Sequence, residues 1–485
     1  MIKRALLSVF FGGCLVAAGV ALSSSQNDVV ILPHINTTPA ATPPRLPGLK
    51  VFSWYLVYLY DYFSAAAGSG GDPASNAVAV AGFKKDIQDA QATGIDGFVV
   101  FIYNSQQVFN NTVNLFEAAR QLAVANPSDP PFLLCISPQT INPGDVSQLF
   151  PGSSTNWILY WMQAFVHHPN YYYYQGKAVL SSFLGLDSQS QSDWVNDVFT
   201  PLAGQGVNVF FTPSILDPTA SQVTTGGTTL TAWGQTYIGS LNWWAGSEPI
   251  TDINNTNNLA NINIANGKPV VVNLSGAPYW AIHGTPRNDL YNEHYGGEGP
   301  DQCWRAAMPL NPIFIMETTW NDFTESYTSP IDIPVPTLNT GYSIEDLLKP
   351  HRGYSELRKY YVQWYTTGVQ PVITKDLLIY FYRTSAQSLN TFTPTTFYPA
   401  TIPDVIFIAT RLTAPAALSV STGGNVTTYN LPAGVNFTRI PFSVGSQQFQ
   451  LIRGGVVIAS IAGEAVVGTI PKNNLEFTTG FVYAP

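Results

Sequence analysis

Charge is the scarcest property of this chain of 485 residues: only 11% are Asp, Glu, Lys or Arg, against about 25% in an ordinary soluble domain. The 30 acidic and 21 basic residues give a net charge of -9 and a pI near 5.1, which excludes the basic face that a nucleic-acid partner requires. A neutral partner suits this composition better than a polyanion. Cysteine is almost absent, with Cys14, Cys135 and Cys303 alone. Cys14 falls in the N-terminal leader, so a disulfide framework is excluded. Cys135 and Cys303 leave open one bridge or two buried thiols. No strand-to-helix turn carries a phosphate-binding glycine pattern, and no nucleophile turn of a serine hydrolase occurs. His283, Glu293 and His294 do not have the spacing of a zinc-binding helix, so neither metal nor cofactor is expected.

Apolar and aromatic residues are plentiful: 45% of the chain is hydrophobic and 13% aromatic, with 25 Tyr, 27 Phe and 11 Trp. That is enough for a large core with rings left over for a ligand surface. Residues 1–25 run from Lys3 and Arg4 through an uncharged stretch to Ser23, Ser24 and Ser25. This reads as a secretory signal, with an uncleaved membrane anchor as the alternative. No later segment has such a run. Residues 26–48, interrupted by Pro43, Pro44 and Pro47, read as a Pro/Thr-rich linker. Sequons at Asn36, Asn110, Asn254, Asn273, Asn425 and Asn436 permit glycosylation without requiring it.

From residue 49 onward, short apolar or β-branched runs begin near Val51, Gly97, Phe132, Ala178, Val207, Ile238, Pro269 and Ile313. Helical patterns intervene, clearest at 83–92, 113–125 and 157–167. Eight alternating units imply parallel pairing. The expected fold class is therefore α/β: a (β/α)8 TIM barrel over 49–368, closed by a terminal helix at 344–367. A doubly wound sheet is the alternative. After Gly368 the helical period disappears. Short runs at 377–382, 405–409, 417–420, 449–452 and 455–461, with turn signals at Gly423-Gly424 and Gly454-Gly455, predict a smaller C-terminal β-sandwich over 369–485. Such a domain either binds sugar or packs against the barrel.

In a barrel the chemistry belongs where strands end. The last run leads into Glu317-Thr-Thr-Trp320-Asn321-Asp322-Phe-Thr-Glu325-Ser326. Asp322 and Glu325, three apart, can serve acetal hydrolysis, one protonated to assist the leaving oxygen and the other ionised. The same spacing also suits a helix cap followed by a solvated residue. Tyr55, Trp243, Trp244, Tyr279, Trp280 and Trp320, together with Trp54 and Tyr103, lie at expected strand ends, where rings can stack on sugar faces or simply fill the core. Asn104, Asn242 and Asn321 offer hydrogen bonds to hydroxyls. Asp96 precedes its strand and belongs to the opposite, stabilising face. His167 and His168 suit a helix C-terminus.

These residues resemble glycoside hydrolase family 71, the α-1,3-glucanases or mutanases. The resemblance rests on TWNDFTES at 319–326, supported by VFSWYLV at 51–57, DIQDAQATGIDGF at 86–98, HPNYYYYQGKAVLSSFLG at 168–185 and LIYFYR at 378–383. It implies a (β/α)8 barrel with a β-sandwich, secretion, and endo-hydrolysis of α-1,3-glucan by Asp322 and Glu325. The chain also looks like the related endo-α-mannosidases, which carry two Glu at this spacing. It departs from family 71 at Trp54, where a His is usual, and at Pro138, where an Asp commonly follows a Ser. The expectation is a secreted, monomeric glycosidase acting on a neutral polysaccharide. A non-catalytic glycan-binding or cell-wall protein on the same fold is the alternative from another class.

Overall fold

The computed structural model describes residues 29–31, 45–58, 76–186, 189–215, 238–283, 288–323, 325–330, 348–389, 395–399, 402–469 and 475–485. Eight parallel strands form the central sheet: β1 Lys50–Leu56, β2 Gly97–Ile102, β3 Leu133–Pro138, β4 Lys177–Phe183, β5 Val209–Ile215, β6 Asn242–Trp243, β7 Val271–Ser275 and β8 Phe314–Thr318. Their order is β6-β5-β4-β3-β2-β1-β8-β7, a nearly closed barrel. Stretches such as GFVVFI in β2 are apolar throughout because barrel strands are covered on both faces. The expected run at Ile238 contracts to two paired residues, with Ile238 making only an isolated bridge to Phe211.

Where β6 and β7 meet, side chains replace the ladder. Ser240 Oγ accepts the Val271 N–H at 3.0 Å. Asn263 bonds both backbone groups of Leu241, at 2.9 and 2.7 Å.

Helices cover the outside: α1 Ala77–Ala92, α2 Gln106–Ala125, α3 Trp157–Phe165, α4 Pro249–Ala265, α5 Glu298–Ala307 and α6 Arg352–Thr367. Two begin earlier than their apolar period suggests, because their first turns are Ala-rich or polar. α3 is capped by Asn156, whose Oδ1 accepts from Ile158 and Leu159 at 3.0 Å each. α6 ends at Gly368, where φ is 69°, a conformation that suits glycine. Residues 344–347 of the expected terminal helix lie outside the described residues. α6 is fastened to the barrel by a buried ion pair between Arg358 and Glu317 of β8. On the far face Asp96 takes Arg45 at 2.7 and 2.8 Å and the Val51 N–H at 2.8 Å. Cys135 and Cys303 are both free thiols.

The C-terminal strands are β9 Leu377–Arg383, β10 Val405–Leu412, β11 Ala416–Thr422, β12 Asn425–Leu431, β13 Gly434–Pro441, β14 Gly445–Arg453, β15 Val456–Val466 and β16 Phe477–Tyr483. They make two antiparallel sheets, β13-β10-β9-β16 and β12-β11-β14-β15. Val29–Ile31, inside the stretch read as linker, adds an edge strand beside β13. The glycine pairs 423–424 and 454–455 hold positive φ in two-residue hairpin turns, as that loop length requires.

The first of these sheets is buried on both faces. Leu377, Ile379 and Phe381 join the barrel-side core, whereas Leu378, Tyr380 and Tyr382 join the core between the two sheets. Several ion pairs cross from barrel to sandwich, those of Arg383 and Arg439 among them. Arg383 Nη1 lies 2.7 Å from Glu293 Oε2, with both side chains fully buried. Arg439 grips Glu298 at 2.9 and 2.5 Å.

Truncating one partner of a buried pair strands the other charge. Arg383→Met is therefore expected to cost about 3–5 kcal/mol, measured by urea unfolding. Adding Glu293→Gln should recover most of the loss.

Candidate active site

Neighbouring residues on a strand face opposite ways, and the end of β1 separates its two rings on that basis. Trp54 meets Trp244, which follows β6, with centroids 4.6 Å apart. Since β8 and β7 lie between β1 and β6, that contact crosses the barrel interior. Phe101 of β2 and Phe183 of β4 complete the cluster, 5.5 Å from each other, with Phe183 4.8 Å from Trp244. Four rings thus fill the interior at the C-terminal ends of the strands. Tyr55 points the other way, under α1. Its hydroxyl donates to Asp86 at 2.6 Å and its ring stacks on Phe98.

Just beyond β8 the chain folds back on itself. Asn321–Asp322 pairs antiparallel with Ser326–Tyr327. The Glu325 N–H donates to the Asp322 carbonyl at 3.0 Å. Thr319 Oγ1 accepts the Asp322 N–H at 2.8 Å and donates to the Ser326 carbonyl, which braces the turn from below. Asn321 ties it to β1: Oδ1 accepts the Leu56 N–H at 2.8 Å, and Nδ2 donates to the Leu56 carbonyl at 3.1 Å. The Trp320 N–H donates to the Trp54 carbonyl at 2.7 Å. Asp322 is 8% exposed and Glu325 is half-buried, so both expected carboxylates stand on one tight turn at the barrel's C-terminal end.

The other expected substrate contacts divide. Trp244 belongs to the interior ring cluster. Tyr55, Trp243 and Trp320 are buried on the helix side of the barrel, and an expectation of sugar stacking does not fit that placement. Trp243 donates to Asp252 of α4 at 3.0 Å, and Trp320 lies beside Phe98 and Arg358. The amides of Asn321 and Asn242 are taken up by backbone and hydroxyl partners within the barrel. Asn104 bonds Gln148 and Leu149 through Nδ2, while its Oδ1 has no partner among the described residues. Tyr279 and Trp280 lie on a strand, Tyr279–His283, that pairs with Asn288–Asn292; their side chains lie outside the described residues.

Phe101, Phe183 and Tyr327 complete the region without having been singled out in the sequence, and Thr319 was marked only as the first residue of the stretch 319–326. For the two phenylalanines a signal existed, since each sits at a strand end. For Tyr327 none did, and the bracing role of Thr319 was not legible, because both depend on the hairpin.

The profile of glycosyl hydrolase family 71 matches residues 73–481. The chain belongs to that family. A glucan endo-1,3-alpha-glucosidase of Schizosaccharomyces pombe is 28% identical over 423 residues, 83% of this chain and 91% of that protein. A mutanase of Penicillium rubens is 26% identical over 396 residues, 79% of this chain and 80% of that protein. Among solved structures, the GH99 endo-alpha-mannosidase from Bacteroides thetaiotaomicron aligns with a TM-score of 0.45 at 12% identity, covering 65% of this chain and 97% of that one. As a family 71 member, the chain is a glycoside hydrolase with a polysaccharide substrate.

Asp252, which holds Trp243, carries a pH signature. Burial pushes its carboxyl from 3.8 up to about 7, despite hydrogen bonds from Trp243, Ser247 and Gly246. The folded chain therefore holds a proton there, between those two values, that the unfolded chain releases. Its contribution to stability is full below the unfolded value and lost as pH rises to about 7. Asp252→Asn is expected to flatten that decline, measured as a smaller drop in urea midpoint between pH 4 and pH 7 than the parent shows.

Proposed function

We propose that this family 71 hydrolase is a secreted, monomeric endo-α-1,3-glucanase, with the signal at 1–25 removed and Asp322 and Glu325 as its carboxylate pair. The observation that supports the reading is the tight turn after β8, which carries both residues in a family 71 chain. The printed activities of the S. pombe and P. rubens relatives support the choice of substrate. Low charge supports a neutral polymer. Glu325 is the general acid, because the donor must stay protonated and Glu starts from the higher pKa. Asp322 is the base or nucleophile. The interior rings, Trp244 foremost, form the apolar floor beneath the bound sugar.

Incubation with insoluble α-1,3-glucan should release reducing ends, with none from α-mannan. Release from mannan alone would make it a mannosidase, and binding without release from either would make it a glycan-binding protein. Glu325→Gln is expected to slow substrates with poor leaving groups by roughly 100-fold or more while sparing activated aryl glycosides. Asp322→Asn should slow both classes alike. The reverse pattern would exchange the two roles.

A further inference from the structure

The hairpin that carries Asp322 and Glu325 is held from behind by a segment stapled to the β-sandwich. Tyr327 stands directly opposite Asn321 in that hairpin. Its ring lies flat on the imidazole of His351, with centroids 4.1 Å apart and planes 3° from parallel. His351 Nδ1 is 2.6 Å from the Tyr327 carbonyl, and since a carbonyl only accepts, Nδ1 is the donor. On its other edge, Nε2 lies 3.1 Å from Oε2 of Glu476, just before β16, a contact with ion-pair rather than hydrogen-bond geometry that attracts when the ring carries both protons. The imidazole is buried, so water cannot substitute for either partner.

The neighbours of His351 repeat the pattern. The Tyr327 hydroxyl exchanges hydrogen bonds with both backbone groups of Lys349 at 2.9 Å, and Lys349 Nζ reaches Glu464 of β15 at 2.7 Å. Thr479 of β16 donates to the Pro350 carbonyl at 2.9 Å and accepts the Gly353 N–H at 3.0 Å. Ser355 donates to the Thr328 carbonyl at 2.9 Å. A continuous set of contacts therefore runs from Glu464, Glu476 and Thr479 of the sandwich, through 349–355, to the strand that returns from Glu325.

We propose that His351 is a positioning residue for hydrolysis: clamped between Tyr327 and Glu476, it lets the sandwich domain fix the turn that bears the two carboxylates. The proposal rests on the reading of Asp322 and Glu325 as the catalytic pair. It makes the second domain part of the catalytic geometry. Sequence gave no sign of this, since His351 and Glu476 are 125 positions apart by number and match no motif. Misplacing a reacting group by about 1 Å can cost on the order of 100-fold in rate, while substrate contacts elsewhere in the cleft are left alone.

The test is steady-state kinetics on α-1,3-gluco-oligosaccharides with His351→Ala, Glu476→Gln and the double variant, beside Asp322→Asn and Glu325→Gln. His351→Ala is expected to lower kcat about 10- to 100-fold with KM changed less than about threefold. The double variant should be no slower than His351→Ala, because both changes release one clamp. Imidazole added to His351→Gly should restore part of kcat, and amide exchange across 319–329 should quicken in each variant. A lowered melting temperature with unchanged kcat, or a rise in KM alone, overturns the role. If His351→Ala does not fold, Glu476→Gln decides, and full kcat there overturns it. Full turnover in both Asp322→Asn and Glu325→Gln removes the catalytic reading and this role with it. Full turnover in His351→Ala and Glu476→Gln beside an inactive Asp322→Asn removes only the positioning role.

Discussion

The carboxamide of Asn321 occupies both backbone polar groups of Leu56, and the arrangement of the barrel mouth depends on it. A side-chain amide presents a donor and an acceptor as a neighbouring strand would, so the pair extends the β1–β8 contact past the point where the ladder stops. In a fully buried setting each such bond is worth about 1 kcal/mol, and an orphaned partner would cost more. The bond from the Trp320 N–H to the Trp54 carbonyl runs alongside. Together they fix where the hairpin begins, and Thr319 fixes how it turns.

What lies below that hairpin is apolar. Trp54, Phe101, Phe183 and Trp244 meet edge to face or tilted across the interior, geometries that suit aromatic quadrupoles. Sugars present C–H faces to such rings while their hydroxyls seek polar groups at the rim. Under the proposed reading, the rings supply the grip and the two carboxylates of the hairpin the chemistry.

The scarcity of charge acquires a structural meaning once the pairs are located. Several of the few ionic residues are spent fastening parts together: Arg45 with Asp96 below the barrel, Glu317 with Arg358 behind β8, and Glu293 with Arg383 and Glu298 with Arg439 between barrel and sandwich. The two fully buried pairs, Glu317 with Arg358 and Glu293 with Arg383, specify geometry more than they add stability. The sandwich is accordingly joined by directional contacts as well as by the apolar face of β9 and its neighbours.

The sequence by itself determined the architecture. Parallel strands covered on both faces must read as short apolar runs, and eight of them alternating with helices leave little choice of fold. It also marked the turn after β8, because two carboxylates with an indole and an amide in one stretch is a chemical pattern, and the family resemblance of that stretch stands. The segment 26–48 was legible as Pro-rich but not as the donor of an edge strand at 29–31, since that pairing needs β13 beside it. Only the tertiary structure decided which ring of Trp54-Tyr55 and of Trp243-Trp244 faces the interior. Adjacent strand residues point to opposite faces, and when both are aromatic no alternation tells them apart. It alone brought His351 and Glu476 to the back of the hairpin, because contacts between residues far apart in sequence are made by the docking of two domains and leave no local pattern.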